Sequence, residues 1–384
     1  MKAKFLDSIL VIASLAVVVS GFGHTWQQTS SGKGWGSFGM SAEGRIMYVF
    51  PSGDPPMIST NFGSTWFLVL KSPVWGGSDF GGVALSADGS KIFAAFKSDV
   101  TFPTGIFLSP DLGATWTKTA FPTNATVTYR VACSADGTKV IGAWRSSPIF
   151  YSTNGGVNCY TSSAPTAPWS AVASSADGGR MAAAVSPGNV YFSGDFGATW
   201  TQANLPSQSW NSVCASSDGK WVGAASGTQS FISSDSGATW QTNNLAGGRI
   251  ACSANGSTWL IAGAQIYTST NSGVSWQTNL PAAQWDDGAV SADGSLMVAM
   301  SGGQGFRKGR VIPTPQLNIQ QKDSSLAVSW LIPSTNFVLQ QSADITALNW
   351  TPVTNNPTLN FTNLQQEVSV PTTSSNRFFR LIAQ

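Results

Sequence analysis

Apolar and small polar residues alternate in short runs along most of this 384-residue chain, and turn-forming residues separate the runs. The stretch from Trp169 shows the unit. Trp169–Ser174 alternates and predicts a first strand, because successive side chains of a strand point to opposite faces. Ser175-Ala-Asp-Gly178 predicts a tight turn, where Asp and Gly tolerate positive φ. Arg180–Val185 predicts a second strand, Ser186-Pro-Gly188 a turn, and Asn189–Ser193 a third strand. A hairpin at Asp195–Gly197 then leads to a fourth strand at Thr199–Gln202. Asn204-Leu-Pro206 carries the chain to Trp210, where the pattern restarts.

Two phrases mark each unit. The hairpin phrase S-x-[DN]-x-G-x-[TS]-W occurs at Ser59–Trp66, Ser109–Trp116, Ser193–Trp200, Ser233–Trp240 and Ser269–Trp276. Asn61, Asp111, Asp195, Asp235 and Asn271 fill its acidic slot. A worn copy keeps Ser152, Asn154 and Gly156 but has Cys159 in place of the Trp. The turn phrase S-A-D-G occurs at Ser86–Gly89, Ser134–Gly137, Ser175–Gly178 and Ser291–Gly294, with near-copies at Ser41–Gly44, Ser216–Gly219 and Ser253–Gly256. Internal repeats of this length mean a repeat architecture, and four short antiparallel strands every forty or so residues predict a β-propeller blade. The turn phrase occurs seven times and the hairpin phrase six. The missing half-hairpin stands at the other end of the chain, as Gly23-His24-Thr25-Trp26-Gln27. The expectation is an all-β chain whose seven-bladed propeller is closed by an N-terminal strand, leaving no free sheet edge.

The hairpin phrase resembles the Asp-box, or BNR repeat, of the sialidase superfamily of propellers, over residues 24–311. The resemblance implies that Asn61, Asp111, Asn154, Asp195, Asp235 and Asn271 are structural, accepting backbone N–H bonds across the hairpin, with the Trp packing between blades. Relatives of this kind include the non-catalytic photosystem II assembly and stability factors, whose seven-bladed propeller is a docking platform. The blade count here is closer in style to that group than to the sialidases. Sialidase chemistry uses three arginines on the substrate carboxylate, a Tyr–Glu nucleophile and an Asp acid/base. Here the glutamates are only Glu43, in a turn on the wrong face, and Glu367, in the tail.

Residues 312–384 lack both phrases and follow a stiff Pro313-Thr-Pro315 hinge. Strand-like runs at Gln316–Gln321, Leu326–Leu331, Phe337–Gln341, Trp350–Val353, Gln366–Val370 and Phe378–Ile382 predict a small β-sandwich. It resembles a fibronectin type III module.

Composition narrows the function. Only 10% of residues are charged, the net charge is +2 and His24 is the one histidine. That gives no basic face for nucleic acid and little acid–base or metal chemistry. Each hairpin offers one carboxylate, too few oxygens for calcium, so no metal or cofactor is expected. Residues 1–23 have the basic start, apolar run and small-residue end of a secretory signal peptide. They predict a chain that is either secreted or held in the periplasm or cell envelope, with no later membrane span; a monomer is expected. Cys133 and Cys252 precede the turn phrase as small packing residues, and Cys159 and Cys214 lie in other registers. Buried free thiols and a Cys133–Cys159 bridge both fit these positions.

Ligands of propellers usually sit at the channel mouth, opposite the two phrases. Six residues before the turn-phrase Ser stand Trp35, Phe80, Thr128, Trp169, Trp210, Gly247 and Trp285. They are either blade packing or an aromatic collar for sugar rings or peptide side chains. Four residues before it stand Ser37, Gly82, Arg130, Ala171, Ser212, Arg249 and Asp287, on the same sheet side by even spacing. Arg249 and Asp287, in neighbouring blades, either pair with each other or contact a ligand. Asp79 with Asp286 or Asp287 is the one carboxylate pair that could serve an inverting glycosidase. The partner is expected to be a protein or a glycan, and a diverged glycoside hydrolase is the alternative.

Overall fold

The computed structural model describes residues 25–383 apart from 31–34, 52–54, 70–79, 97–103, 124–128, 281–282, 302–304, 311–316, 323–324, 332–336, 345, 347–348 and 372–376. The proposed signal peptide, the Pro313–Pro315 hinge and Asp79 lie outside these residues. The chain divides into two compact units, with Gly23–Val311 in one and Ile312–Asn360 and Leu364–Gln384 in the other.

The first unit is a propeller of seven four-stranded antiparallel blades. The innermost strands are Trp35–Met40, Phe80–Leu85, Tyr129–Cys133, Ala167–Ser174, Trp210–Ala215, Gly247–Cys252 and Asp287–Val290, for blades 1 to 7. The seventh blade takes its fourth strand from Thr25–Ser30, which pairs with Gly305–Arg310 from Thr25 opposite Arg310 to Ser30 opposite Phe306. Blades 3 and 4 run into one another where Arg145 and Ser147 pair with Pro168 and Ala167. The second strands are mostly buried, and Met181–Val185 and Leu296–Ser301 are buried along their whole length, because neighbouring blades cover both of their faces. Their sequences are therefore runs of Ala, Val, Ile and Met rather than alternations.

The turn phrases explain why the blades close into a ring. The N–H of Ala42 donates to the Ala87 carbonyl, Ala87 to Ala135, Ala135 to Ala176, Ala176 to Ser217, Ser217 to Ala254, Ala254 to Ala292, and Ala292 back to Ala42, all at 2.7–2.9 Å. This circle of backbone bonds passes once through every blade. Each turn is held by its buried Ser. The Ser134 Oγ–H donates to Asp136 Oδ1 at 2.6 Å, and Ser134 Oγ itself accepts the Lys139 N–H at 2.9 Å. Equivalent bonds recur from Ile46 N to Ser41 and from Leu296 N to Ser291. Ser134→Ala should cost about 1–3 kcal/mol in urea denaturation, since a buried N–H loses its acceptor; a change within error would show that water or a shifted loop replaces the bond.

The outer hairpins repeat another set of bonds. In Ser193–Trp200, Ser193 Oγ accepts the Gly197 N–H, Asp195 accepts both the N–H and the hydroxyl of Thr199, and the Trp200 indole N–H donates to the Gly197 carbonyl. Because Thr199 and Trp200 are taken up by the hairpin, the fourth strand is Thr201–Gln202, shorter than its sequence suggests. The residue before the hairpin Gly adopts positive φ in Phe62, Leu112, Phe196, Ser236 and Ser272. Hairpin tryptophans pack onto the preceding blade, as Trp116 does edge-on to Tyr48 and Trp240 does stacked on Phe192.

These hairpins set an acid limit on stability. Hydrogen bonds from Thr239 and Ser233 hold the Asp235 carboxyl down at about 2. Bonds from Thr115 lower Asp111 likewise. At Asp195 desolvation pulls upward, but the bonds from Thr199 and Ser193 outweigh it. A carboxyl lowered by folding contributes stability that is whole above its unfolded value near 4 and is lost as pH falls through its folded value. The urea midpoint should therefore fall between about pH 4 and pH 2. Asn already fills the slot at positions 61 and 271, donating to Thr65 and Ser275. The triple variant Asp111→Asn, Asp195→Asn, Asp235→Asn should therefore flatten that slope, and an undiminished slope would assign it to other groups.

The second unit is a two-sheet sandwich. One sheet holds Asn318–Lys322, Ser325–Leu331, Gln365–Pro371 and Thr358–Asn360, and the other holds Thr351–Pro352, Phe337–Ser342 and Phe378–Ala383. Trp330, Val328 and Val368 of one sheet meet Leu339, Phe379 and Leu381 of the other in one core. The short strand Thr358–Asn360 escapes sequence reading because it follows Asn355-Asn-Pro357, a turn-like run, and lies at a sheet edge.

Candidate functional site at the channel mouth

The starts of the seven inner strands surround a polar cavity of about 420 Å³ on the propeller axis, at the end opposite the circle of turn bonds. Every blade contributes to its wall, through Ser37, Gly82, Arg130, Ala171, Ser212, Arg249 and Asp287 among others. These are the residues four before the turn-phrase Ser, so the repeat register alone picks them out. The strands come close here: a Cβ on Gly82 would lie 2.9 Å from the Val131 backbone nitrogen.

The residues six before the Ser go elsewhere. Trp169 and Trp285 are each 4% exposed and Trp210 is 0% exposed. Trp169 meets Tyr191 edge-on and donates its indole N–H to the Ser147 carbonyl at 2.8 Å. Trp210 meets Phe231 edge-on and donates to the Gly188 carbonyl at 3.0 Å. Trp285 packs with Leu260, Ile266 and Met297. These three rings are blade packing, the first of the two readings, and they have no face to offer a sugar. The side chains of Trp35 and Phe80, like Thr128, lie outside the described residues.

For Trp169 and Trp210 the physical reason is a β-bulge. In blades 4, 5 and 6 the inner-strand register shifts between Trp169 and Ala171, between Trp210 and Ser212, and between Gly247 and Arg249. Blades 1 and 2 show a shift at the same place. A bulge inserts one unpaired residue and breaks the even alternation. Even spacing therefore does not put the two sets on one side. Ser170 and Asn211, at the bulges, join the cavity wall instead, and sequence reading passed over both. The recurring small residue at that position, as in Gly36, Gly81 and Gly248, is the signal that could have found the bulge.

Charge in the cavity comes from Arg130, Arg249 and Asp287. The Arg130 Nε–H donates to the Ser170 carbonyl of the next blade at 2.6 Å. Arg249 spans its neighbours on both sides, with Nη1–H donating to the Asn211 carbonyl at 2.7 Å and Nε–H to the Asp286 carbonyl at 3.1 Å. Its Nε stands 3.9 Å from the Asp287 carboxylate, which also accepts the Gly288 N–H at 2.9 Å. Two cations thus face one anion. Burial pushes the Arg130 guanidinium below its usual range, and repulsion from Arg249 adds to this while Asp287 opposes it. Burial raises the Asp287 carboxyl, and Arg249 and Arg130 pull against it. A guanidinium has five N–H donors, and the bonds to the wall use one from Arg130 and two from Arg249. The remainder can meet carboxylates or carbonyls of a ligand, bidentately in the best geometry.

No protein-family model matches the chain, and no curated protein does. Among solved structures, the chain is similar to YCF48 bound to D1 peptide, with TM-score 0.56 and 13% identity, over 77% of this chain and 97% of that one. It is similar to YCF48 from Cyanidioschyzon merolae, with TM-score 0.56 and 14% identity, over 74% and 98%. The likeness is one of fold. It agrees with the all-β propeller that the strand pairing defines.

Of the catalytic candidates, Asp79 lies outside the described residues. Asp286 and Asp287 are neighbours at the start of one strand, and Asp287 is engaged by Arg249. Glu367 is ion-paired to Lys322 at 2.6 Å in the tail sandwich. Burial raises the Glu43 carboxyl against the pull of Arg45, in a turn phrase. Among the described residues, no group of three or more His, Cys, Asp or Glu is placed to hold a metal. No helix of the described residues is long and apolar enough to cross a membrane.

Proposed function

We propose that this chain is a non-catalytic binding propeller that docks an extended segment of another protein at the channel mouth. Arg130 and Arg249 meet acidic or carbonyl groups of the segment, and Asp287 limits which groups fit. The observation that carries this reading is the cavity itself, lined by all seven blades and holding two guanidiniums against one carboxylate. Support for a protein over a glycan comes from the burial of Trp169, Trp210 and Trp285, which leaves no stacking platform from those rings. A propeller of similar fold, YCF48, has been solved with a D1 peptide. The hydrolase reading has less to rest on, because inverting chemistry needs two carboxylates several ångströms apart with room for water.

The finer identity belongs to the same proposal. The outer hairpins are Asp boxes of the sialidase-superfamily kind, the tail is a fibronectin type III-like module, and residues 1–23 direct export of a monomer to the envelope or beyond. Terminal sequencing of the exported chain tests the last point.

The docking reading is tested by selecting a displayed random-peptide library on residues 24–384 beside a glycan array. Wild type should enrich a peptide family, and Arg130→Met/Arg249→Met should lose it. Glycan binding without peptide enrichment would overturn the proposal.

A further inference from the structure

Cys214 and Cys252 stand in register across the boundary between blades 5 and 6. Cys214 lies on the inner strand Trp210–Ala215, and Cys252 ends the inner strand Gly247–Cys252. Bonds on both sides of the pair fix the alignment. Before it, the Ser212 hydroxyl accepts the Ile250 N–H at 3.3 Å and lies 3.4 Å from the Ile250 carbonyl. After it, the Ser217 N–H donates to the Ala254 carbonyl at 2.8 Å. Cys214 pairs with Gly223 in its own blade, and around Gly223 its sulfur meets the ends of Ile250 and Trp259 of blade 6. Cys252 is the cross-strand partner of that Trp259, so the two cysteine side chains face one another across the boundary. Both residues pack in one cluster with Trp221 and Trp259. The other two cysteines, Cys133 and Cys159, belong to a different cluster, around Phe93 and Phe121. All four are free thiols in this structure.

We propose that Cys214 and Cys252 are a disulfide-forming pair that, on meeting a small disulfide oxidant of the glutathione type, staples blade 5 to blade 6. Cys252 loses its proton and attacks one sulfur of the oxidant, releasing one thiolate. Cys214 then loses its proton and attacks the Cys252 sulfur of the mixed disulfide, releasing the second thiolate. The two released thiolates take up the two protons, so one oxidant disulfide is reduced to two thiols as one protein disulfide forms. Burial raises the Cys214 thiol well above its ordinary range, which slows its attack. The staple crosses the boundary that the Arg249–Asn211 bond also crosses. It would fix the spacing of two cavity walls.

The test uses the full chain, refolded from urea in a glutathione redox buffer, then denatured and alkylated. Two of its four cysteines should escape alkylation, and peptide mapping should join the Cys214 peptide to the Cys252 peptide in a link that reductant releases. The oxidised sample should melt several degrees above its reduced counterpart, since a cross-link restricts the unfolded chain. Cys252→Ser should remove both the link and the difference. Four alkylated cysteines, a link that includes Cys133 or Cys159, or equal melting midpoints would overturn the proposal.

Discussion

Deletion of Thr25–Ser30 is expected to abolish cooperative folding of the propeller. This segment is distant in sequence from the strand it pairs with, yet it completes blade 7 by pairing with Gly305–Arg310. Without it that strand becomes an exposed edge, open to pairing with other chains. Trp26 leaves with it, and Trp26 packs in the cluster of Leu260, Met297 and Trp285. Loss of one large aromatic from a packed core costs about 3–5 kcal/mol. The lost ladder bonds add to this, against a total stability of about 5–15 kcal/mol for an ordinary domain. The damage should spread, because blade 7 also closes the circle of turn bonds through Ala292 and Ala42. Thermal melting followed by circular dichroism should show a broad or missing transition, and size exclusion should show association. A melt unchanged from wild type would mean that the strand decorates the propeller rather than closing it.

Trp210→Ala carries the second large effect, and it separates packing from binding. The ring is fully buried, its edge meets Phe231 at 5.4 Å between centroids, and its N–H satisfies the Gly188 carbonyl. Removing it should cost about 3–5 kcal/mol in chemical denaturation, with the orphaned carbonyl adding to the loss. Trp210→Phe should recover part of that by refilling the volume while leaving the carbonyl unpaired. Were the ring a sugar platform instead, Trp210→Ala would fold as wild type does and lose only ligand.

How much of this was legible in the sequence depended on which physical rule governed each position. The hairpins and turns were legible because Asp195, Gly197 and Ser175 are required by local backbone geometry, and local requirements repeat with the chain. The closing strand was legible because its half-phrase at Thr25-Trp26 had no partner nearby. The cavity residues Arg130, Arg249 and Asp287 were reachable by register alone. What failed was the step from spacing to side. Trp169 and Ala171 are an even number apart, but the bulge at Ser170 cancels the alternation and turns the indole into the blade. Nothing in a period-two pattern records that extra residue, apart from the small side chains that recur there. The bonds from Arg249 to blades 5 and 7 were also out of reach, since they run to backbone carbonyls. Every residue presents a carbonyl, whatever its identity.

The most direct test of a docking channel is hydrogen–deuterium exchange of the protein with and without a peptide selected on it. Binding at the channel mouth should protect the starts of the inner strands, around Gly82, Arg130, Ser170–Val172 and Asn211–Val213, and leave the outer hairpins and the tail sandwich unchanged. Protection confined to the hairpins or to the tail, with these segments exchanging as before, would contradict the account.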